Sequence, residues 1–185
     1  MRKEEVNELR LSLNSSLKAR IPQFCSVLSA CHHVNTIDVS GCGLSAKNLG
    51  NIVGALLVES CGSRDTLEAL NVSRNPLKER GASFLHLAAL RCPNLGVLEA
   101  RDCDIPDSGV RMILGSLTLG NLKLAKVDLS GNDFTDDAVA YLSESLSAMR
   151  AVRELYLCSP RITTACLRGV RAALETNYHI LALEV

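Results

Sequence analysis

Val34-Asn-Thr-Ile37-Asp-Val39-Ser-Gly-Cys42-Gly-Leu44 has apolar residues at places 1, 4, 6 and 11 and a thiol at place 9. The arrangement returns as Leu67, Leu70, Val72, Asn75, Leu77 and as Leu95, Leu98, Ala100, Cys103, Ile105. It returns again as Leu124, Val127, Leu129, Asn132, Phe134 and as Val152, Leu155, Leu157, Pro160, Ile162. A weaker copy (Val6, Leu9, Leu11, Asn14, Ser16) precedes these, and a truncated one (Ile180, Leu183, Val185) follows. Units start at 6, 34, 67, 95, 124, 152 and 180, so the intervals are 28, 33, 28, 29, 28 and 28 residues. Self-similarity at a fixed period of this size marks a solenoid, in which each coil packs only on its neighbours.

Each unit contains two periodicities. Around places 4 and 6 the alternation is two, as in Leu70-Asn-Val72, Leu98-Glu-Ala100 and Val127-Asp-Leu129, which predicts a short strand with one face inward. Later, places 16, 19 and 23 hold Leu49, Ile52, Leu56; Val110, Ile113, Leu117; Val139, Leu142, Leu146; and Leu167, Val170, Leu174. Steps of three and four form one stripe of a helix. Ser45 and Thr135 stand as N-caps, with Asp136 and Asp137 in the first turn, where a helix favours negative charge. Small residues at place 15 (Gly81, Gly109, Ala138, Cys166) imply close approach of the helix start to the strand-side backbone. Strands joined by helical crossovers lie parallel. Strands stack at about 4.8 Å and helices at about 10 Å, so the array curves with its strands on the concave side.

Cys42, Asn75, Cys103 and Asn132 alternate at place 9, in units of 28 or 29 residues. On these residues the chain resembles the ribonuclease-inhibitor-like leucine-rich repeat family across residues 6–185. The resemblance implies an α/β leucine-rich repeat solenoid: a curved horseshoe segment with parallel strands on the concave face and helices on the convex face. Residues 1–185 then form a single leucine-rich repeat domain. The family also implies a surface for binding other proteins. Departures from its pattern are Pro160 at place 9, Ser16 at place 11, and the long second unit.

Composition narrows the function classes. Apolar residues make up 47% of the chain and aromatics only 3%, with no Trp, so the core is aliphatic. Twenty basic residues balance twenty acidic ones, which argues against nucleic acid or an anionic membrane as partner, since both call for a basic field. The opening Met1-Arg-Lys-Glu-Glu-Val6 lacks the apolar stretch of a signal peptide, and no run is long enough to span a membrane. Eight cysteines without such a signal read as reduced thiols, which sets the expected location as cytoplasmic, with nucleus or cytoskeleton as alternatives.

Candidate sites divide into bland and functional readings. A short polar side chain at place 9 can satisfy buried backbone groups of the turn that leaves the strand. The alternative, a metal-binding or reactive thiol, lacks a Cys-Xaa-Xaa-Cys pair or similar spacing. Cys31-His32-His33 lacks further ligands at a recognisable spacing, so neither metal nor cofactor is expected. No nucleophile set, phosphate loop or dinucleotide fingerprint occurs, and the chain is read as non-enzymatic. Residues 58–66 hold the five extra residues of the long unit and read as a surface loop.

The concave face is where a partner is expected to be read. Place 5 runs Arg10, Asp38, Asn71, Glu99, Asp128, Tyr156, Glu184, and Asp102 and Glu154 stand beside it. Arg74, Arg101 and Lys126 oppose these acids. One reading is a merely solvated strand face. The other is a mildly acidic stripe, Asp38, Asn71, Glu99, Asp102, Asp128, Glu154, Tyr156 and Glu184, that selects a protein with a basic patch. Tyr156 is the large amphipathic exception, a residue type favoured in binding hot spots. The expected function is therefore a non-catalytic protein–protein interaction module. The alternatives are a structural subunit of a cytoskeletal or axonemal assembly, or a docking regulator of an enzyme such as a GTPase. Residues 180–185 read as a terminal strand without a polar cap, whose open edge is expected to abut another chain or a continuation of the protein past this point.

Overall fold

The computed structural model describes residues 6–59, 61–119, 123–175, 177 and 179–185. Each unit contributes one three-residue strand: β1 (Glu8–Arg10), β2 (Thr36–Asp38), β3 (Ala69–Asn71), β4 (Val97–Glu99), β5 (Lys126–Asp128), β6 (Glu154–Tyr156) and β7 (Ala182–Glu184). They form one seven-stranded sheet in sequence order, every pair parallel and in register place for place. The strands occupy places 3–5, one residue earlier than the alternation around places 4 and 6 suggested. The ladder nonetheless continues through place 6, where Val72, Ala100 and Leu129 donate to Glu99, Asp128 and Tyr156 carbonyls at 2.8–2.9 Å.

Between the strands run α1 (Ile21–Ala30), α2 (Ala46–Leu56), α3 (Ser63–Thr66), α4 (Lys78–Arg91), α5 (Asp107–Leu119), α6 (Asp136–Ser145) and α7 (Thr164–Leu174). The long helices pack side by side, and the core lies between them and the sheet. Place 4 (Ile37, Leu70, Leu98, Val127, Leu155) and place 6 (Val39, Val72, Ala100, Leu129, Leu157) are buried throughout. So are the helical stripes of α2 and α5 and those of the fifth coil, where Leu146 has passed from α6 into a 3₁₀ turn. In α7 only Val170 is fully buried, because that helix has a neighbour on one side. This is an α/β leucine-rich repeat solenoid.

Helix starts follow the expected chemistry. Ser45 accepts from Asn48 N–H while Asn48 returns a bond to the Ser45 N–H, a reciprocal capping box. Thr135 accepts from Asp137 N–H. Asp107 joins adjacent coils, its Oδ1 accepting from Thr135 N–H at 2.8 Å and Ala138 N–H at 3.1 Å at the head of α6. Asp136 likewise accepts from Thr163 N–H at 2.8 Å and from the Thr163 hydroxyl at the head of α7. These bonds hold the Asp136 carboxyl below its ordinary range.

Two expectations change. The small residues at place 15 answer to side chains rather than to strand backbone. A Cβ on Gly81 would collide with Leu77 Cβ, and one on Gly109 would lie 2.7 Å from Ile105 Cγ2 and 2.9 Å from Ala82 Cβ. Residues 58–66 are not simply a surface loop. Cys61 and Ser63 are buried, α3 closes the segment, and the Ser63 hydroxyl donates to Cys31 O at 2.8 Å while accepting from Val34 N–H. Thr66 donates to Val34 O at 2.9 Å. The hydroxyls thus supply hydrogen bonds to backbone groups about 30 residues earlier, at the junction of the first and second coils, which anchors the insertion.

Candidate functional site

The turn that leaves each strand is built around place 9. Asn75 Nδ2 donates to Val39, Val72 and Ser73 carbonyls, and its Oδ1 accepts from Leu44 N–H at 2.8 Å. Asn132 donates to Ala100 and Leu129 carbonyls and accepts from Cys103 and Ile105 N–H. The Cys42 thiol donates to Leu11 O at 2.9 Å, and Cys103 to Arg101 and Val72 carbonyls. Burial pushes the Cys103 thiol up to about 12, the opposite of what a nucleophile needs. Place 9 is structural, and no group of three or more potential metal ligands comes together among the described residues.

The place-8 backbone is left-handed at Leu13, Gly41, Arg74, Asp102 and Gly131, with φ between 52° and 72°. Glycine is needed where the preceding coil leans across. A Cβ on Gly41 would lie 2.6 Å from Leu13 Cδ2, and one on Gly131 would collide with Asp102 Oδ1. This conformation projects Arg74 outward from the rim of the sheet, where it is exposed. Among the described residues its guanidinium has no ion-pair partner.

Place 5 proves to hold two kinds of residue. The N–H groups at places 6 and 8 bond to the next coil, which leaves the place-7 N–H outside that ladder. Where place 5 is Asp or Asn, its own side chain supplies the acceptor. Asp38 Oδ1 takes Ser40 N–H, Asn71 Oδ1 takes Ser73 N–H, and Asp128 Oδ1 takes Ser130 N–H, each at 3.0 Å. These are Asx turns. In the Glu99 and Tyr156 coils the preceding coil's serine serves instead: Ser73 Oγ accepts from Arg101 N–H at 3.1 Å and Ser130 Oγ from Cys158 N–H at 3.3 Å. Glu99 and Tyr156 are thereby released from the turn.

Their side chains join a surface network. Lys126 Nζ donates to Glu99 Oε1 at 3.0 Å and stands 5.9 Å from the centroid of the Tyr156 ring. The Tyr156 hydroxyl donates to Glu154 Oε2 at 3.2 Å. The Glu99 bond raises the Lys126 ammonium above its ordinary range. Desolvation, then the Glu154 bond, raises the Tyr156 phenol, so both groups remain protonated donors near neutrality. Glu184 lies opposite Tyr156 in register, with Cys158 Sγ 3.8 Å from its Oε2. Three carboxylates therefore face one ammonium at this end.

Toward the other end is a hollow of about 430 Å³ that contains Asp38, Asn71, Glu99 and Asp128. Arg74, Arg101 and Lys126 line it too, so three cations balance three carboxylates. The stripe is thus not uniformly acidic. Asp128, expected on the solvent side, is only 6% exposed, because its Oδ1 folds back to Ser130 and its Oδ2 lies 3.5 Å from Arg101 Nη1. Asp102, Glu154, Tyr156 and Glu184 lie outside the hollow. Ser12, Leu13, Ser40 and Ser73 line it without having been singled out from the sequence. The recurring serine at place 7 was the visible signal for Ser12, Ser40 and Ser73.

Comparison with known proteins agrees with the fold. A family model described as Leucine Rich repeat matches residues 120–143. The chain is similar to NACHT, LRR and PYD domains-containing protein 13 of Homo sapiens, 29% identical over 98% of this chain and 17% of that protein. It is similar to ribonuclease inhibitor of Mus musculus, 31% identical over 78% of this chain and 31% of that protein. It therefore spans less than a third of these relatives. Among solved structures, the tropomodulin C-terminal domain of Caenorhabditis elegans superposes with a TM-score of 0.57 at 15% identity, covering 73% of this chain and 78% of that one. Fold and repeat chemistry define a leucine-rich repeat protein. Within that class, the relatives it resembles support a ribonuclease-inhibitor-like leucine-rich repeat.

Proposed function

We propose that this solenoid is a non-catalytic protein-interaction module that reads its partner through the concave face, chiefly at the β4–β7 end. The observation that carries this reading is the release of Glu99 and Tyr156 from the turn, together with their linkage through Lys126. A side chain held in an Asx turn has one oxygen committed to its own backbone, whereas Glu99, Glu154, Tyr156 and Glu184 present theirs outward. The surplus of carboxylates there suits a basic patch, and Tyr156 offers an amphipathic surface at low entropy cost. Asp38, Asn71 and Asp128 are placed mainly as scaffold, and Asp102 as a rim residue. The mouse relative is by its name an inhibitor of a ribonuclease, which favours as a second reading a docking regulator of an enzyme.

The test is affinity capture from native extract, followed by binding kinetics on the captured protein. Reversing Glu99 and Glu184 to Lys should leave circular dichroism unchanged while slowing association and flattening its salt dependence. Association unaffected by both reversals places the site elsewhere.

A further inference from the structure

The last helix leaves exposed what the inner coils bury. At place 16, Leu49, Val110 and Val139 are 0% exposed, whereas their counterpart Leu167 in α7 is 39% exposed. Ile162 at place 11 and Leu174 at place 23 are likewise only half-buried, although those places are buried in the coils of β2 to β5. Each inner long helix has a long helix on both sides, and among the described residues α7 has one only on the side of α6. The free side of α7, with the half-buried Leu183 of β7 beyond it, forms an apolar slot. At 1.5 Å per residue the 11 residues of α7 make that slot about 16 Å long. Its rim is basic. Arg171 stands four residues after Leu167 and three before Leu174, a spacing that puts it on their face of the helix, and Arg168 lies one turn earlier. Both are exposed, and neither has an ion-pair partner among the described residues. α7 contains no acid, and Glu175 just past its end pairs with neither arginine.

We infer that this slot is a second docking surface, separate from the concave face, and that its occupant is an amphipathic helix of another protein. Each earlier junction shows the geometry, in which the helix of one coil is closed by the helix of the next. The incoming helix sets an apolar stripe at i, i+3, i+4 and i+7 against Leu167, Leu174 and Leu183, the helix-in-groove mode of recognition. Along the edge that faces Arg168 and Arg171 it carries carboxylates one turn apart, which match the spacing of the two guanidinium groups. A basic helix would meet two like charges there and is disfavoured. A second copy of this chain fits poorly, because α1, the helix at the other end of the array, exposes Val27 as its one large apolar residue and so offers no stripe.

The experiment is a titration of the isotopically labelled chain, followed by amide chemical shifts. The probes are hydrocarbon-stapled helical peptides with Leu along one stripe and two Glu residues one turn apart beside it. Control peptides carry Gln or Lys in place of both Glu residues, or Ser in place of the Leu stripe. The acidic peptide should shift the Leu167, Arg171 and Leu174 amides and bind about two- to fivefold more tightly than the Gln peptide, the range for exposed ion pairs. The Ser peptide should not bind. Arg168→Gln with Arg171→Gln should remove the advantage of the acidic peptide. Arg168→Glu with Arg171→Glu should transfer that advantage to the Lys peptide, a rescue that loss of folding would not produce. Equal binding by the Glu, Gln and Lys peptides overturns the inference, as do shifts confined to the concave face or no shift with any peptide. The chain alone should sediment as a monomer across a concentration series. Self-association that slows hydrogen exchange in α7 would make a second copy the occupant and overturn the inference.

Discussion

The coils ending in Asp38, Asn71 and Asp128 and those ending in Glu99 and Tyr156 share one backbone and one register, yet place 5 does different work in them. In the first group the side chain turns back and closes its own turn. In the second a serine of the previous coil closes the turn, and the side chain faces outward. One methylene separates Asp from Glu, and it is enough to move a carboxylate out of reach of the N–H two residues on. A column of acids in a repeat protein is therefore read residue by residue, with the scaffold's share subtracted first.

The largest effect tests what the two groups have in common. Leu98 precedes Glu99 and Leu129 follows Asp128, both fully buried. Leu→Ala at either should cost about 2–5 kcal/mol in denaturant unfolding, and a large disparity between them would show that the core also distinguishes the coils. Next, Asp128→Ala strands the Ser130 N–H and leaves Arg101 without its partner, for a loss of about 1–3 kcal/mol. Glu99→Ala removes a more exposed pair, worth at most about 1 kcal/mol. Equal losses at these two positions would erase the distinction.

A finer test converts one type of coil into the other. Ser73→Ala should cost about 0.5–1.5 kcal/mol, because Arg101 N–H loses its acceptor. Glu99→Asp should supply an acceptor from the same coil, so Ser73→Ala in that background should cost less, and a double-mutant cycle measures the coupling. Additive losses would mean that the serine relay and the Asx turn are not alternatives. The smallest effect is at Asp136. Its folded pKa is depressed by the Thr163 bonds, so its contribution is present above the unfolded value of about 3.9 and is lost as pH falls through the lower folded value. Hydrogen exchange in α7 should quicken over that acidic window, and Asp136→Asn should flatten the response.

Much of this architecture was legible in the chain because it depends on side-chain identity at fixed spacing. The inward places 4 and 6, the caps at Ser45 and Thr135, and the bonding of Asn75 and Asn132 all follow from residue type. What escaped depends on contacts between coils. Ser73 meets Arg101 across 28 residues, and nothing local to either residue announces the bond. The left-handed place-8 backbone was marked by Gly41 and Gly131 but disguised by Leu13, Arg74 and Asp102. The burial of Asp128 arises from its turn back to Ser130 and from Arg101 in the preceding coil, so alternation alone placed it in solvent. The insertion at 58–66 has the composition of a loop, yet Ser63 and Thr66 find carbonyls a full coil away.

The alternation of thiol and amide at place 9 gives the array a mechanical grain. Asn75 makes two hydrogen bonds back into the Cys42 coil, and Asn132 makes three into the Cys103 coil. Cys42 and Cys103 each reach only one carbonyl of the coil before them. Pro160 has no side-chain donor to offer at its junction. Strong and weak seams therefore alternate, and the coils are riveted in pairs. At the Pro160 junction Ser159 Oγ instead donates to Phe134 O and Thr163 to Asp136, so under tension applied at its two ends the place-9 bonds favour parting at the thiol seams, releasing two-coil blocks. The same pair is the smallest length that could be duplicated or deleted while keeping the alternation of amide and thiol seams.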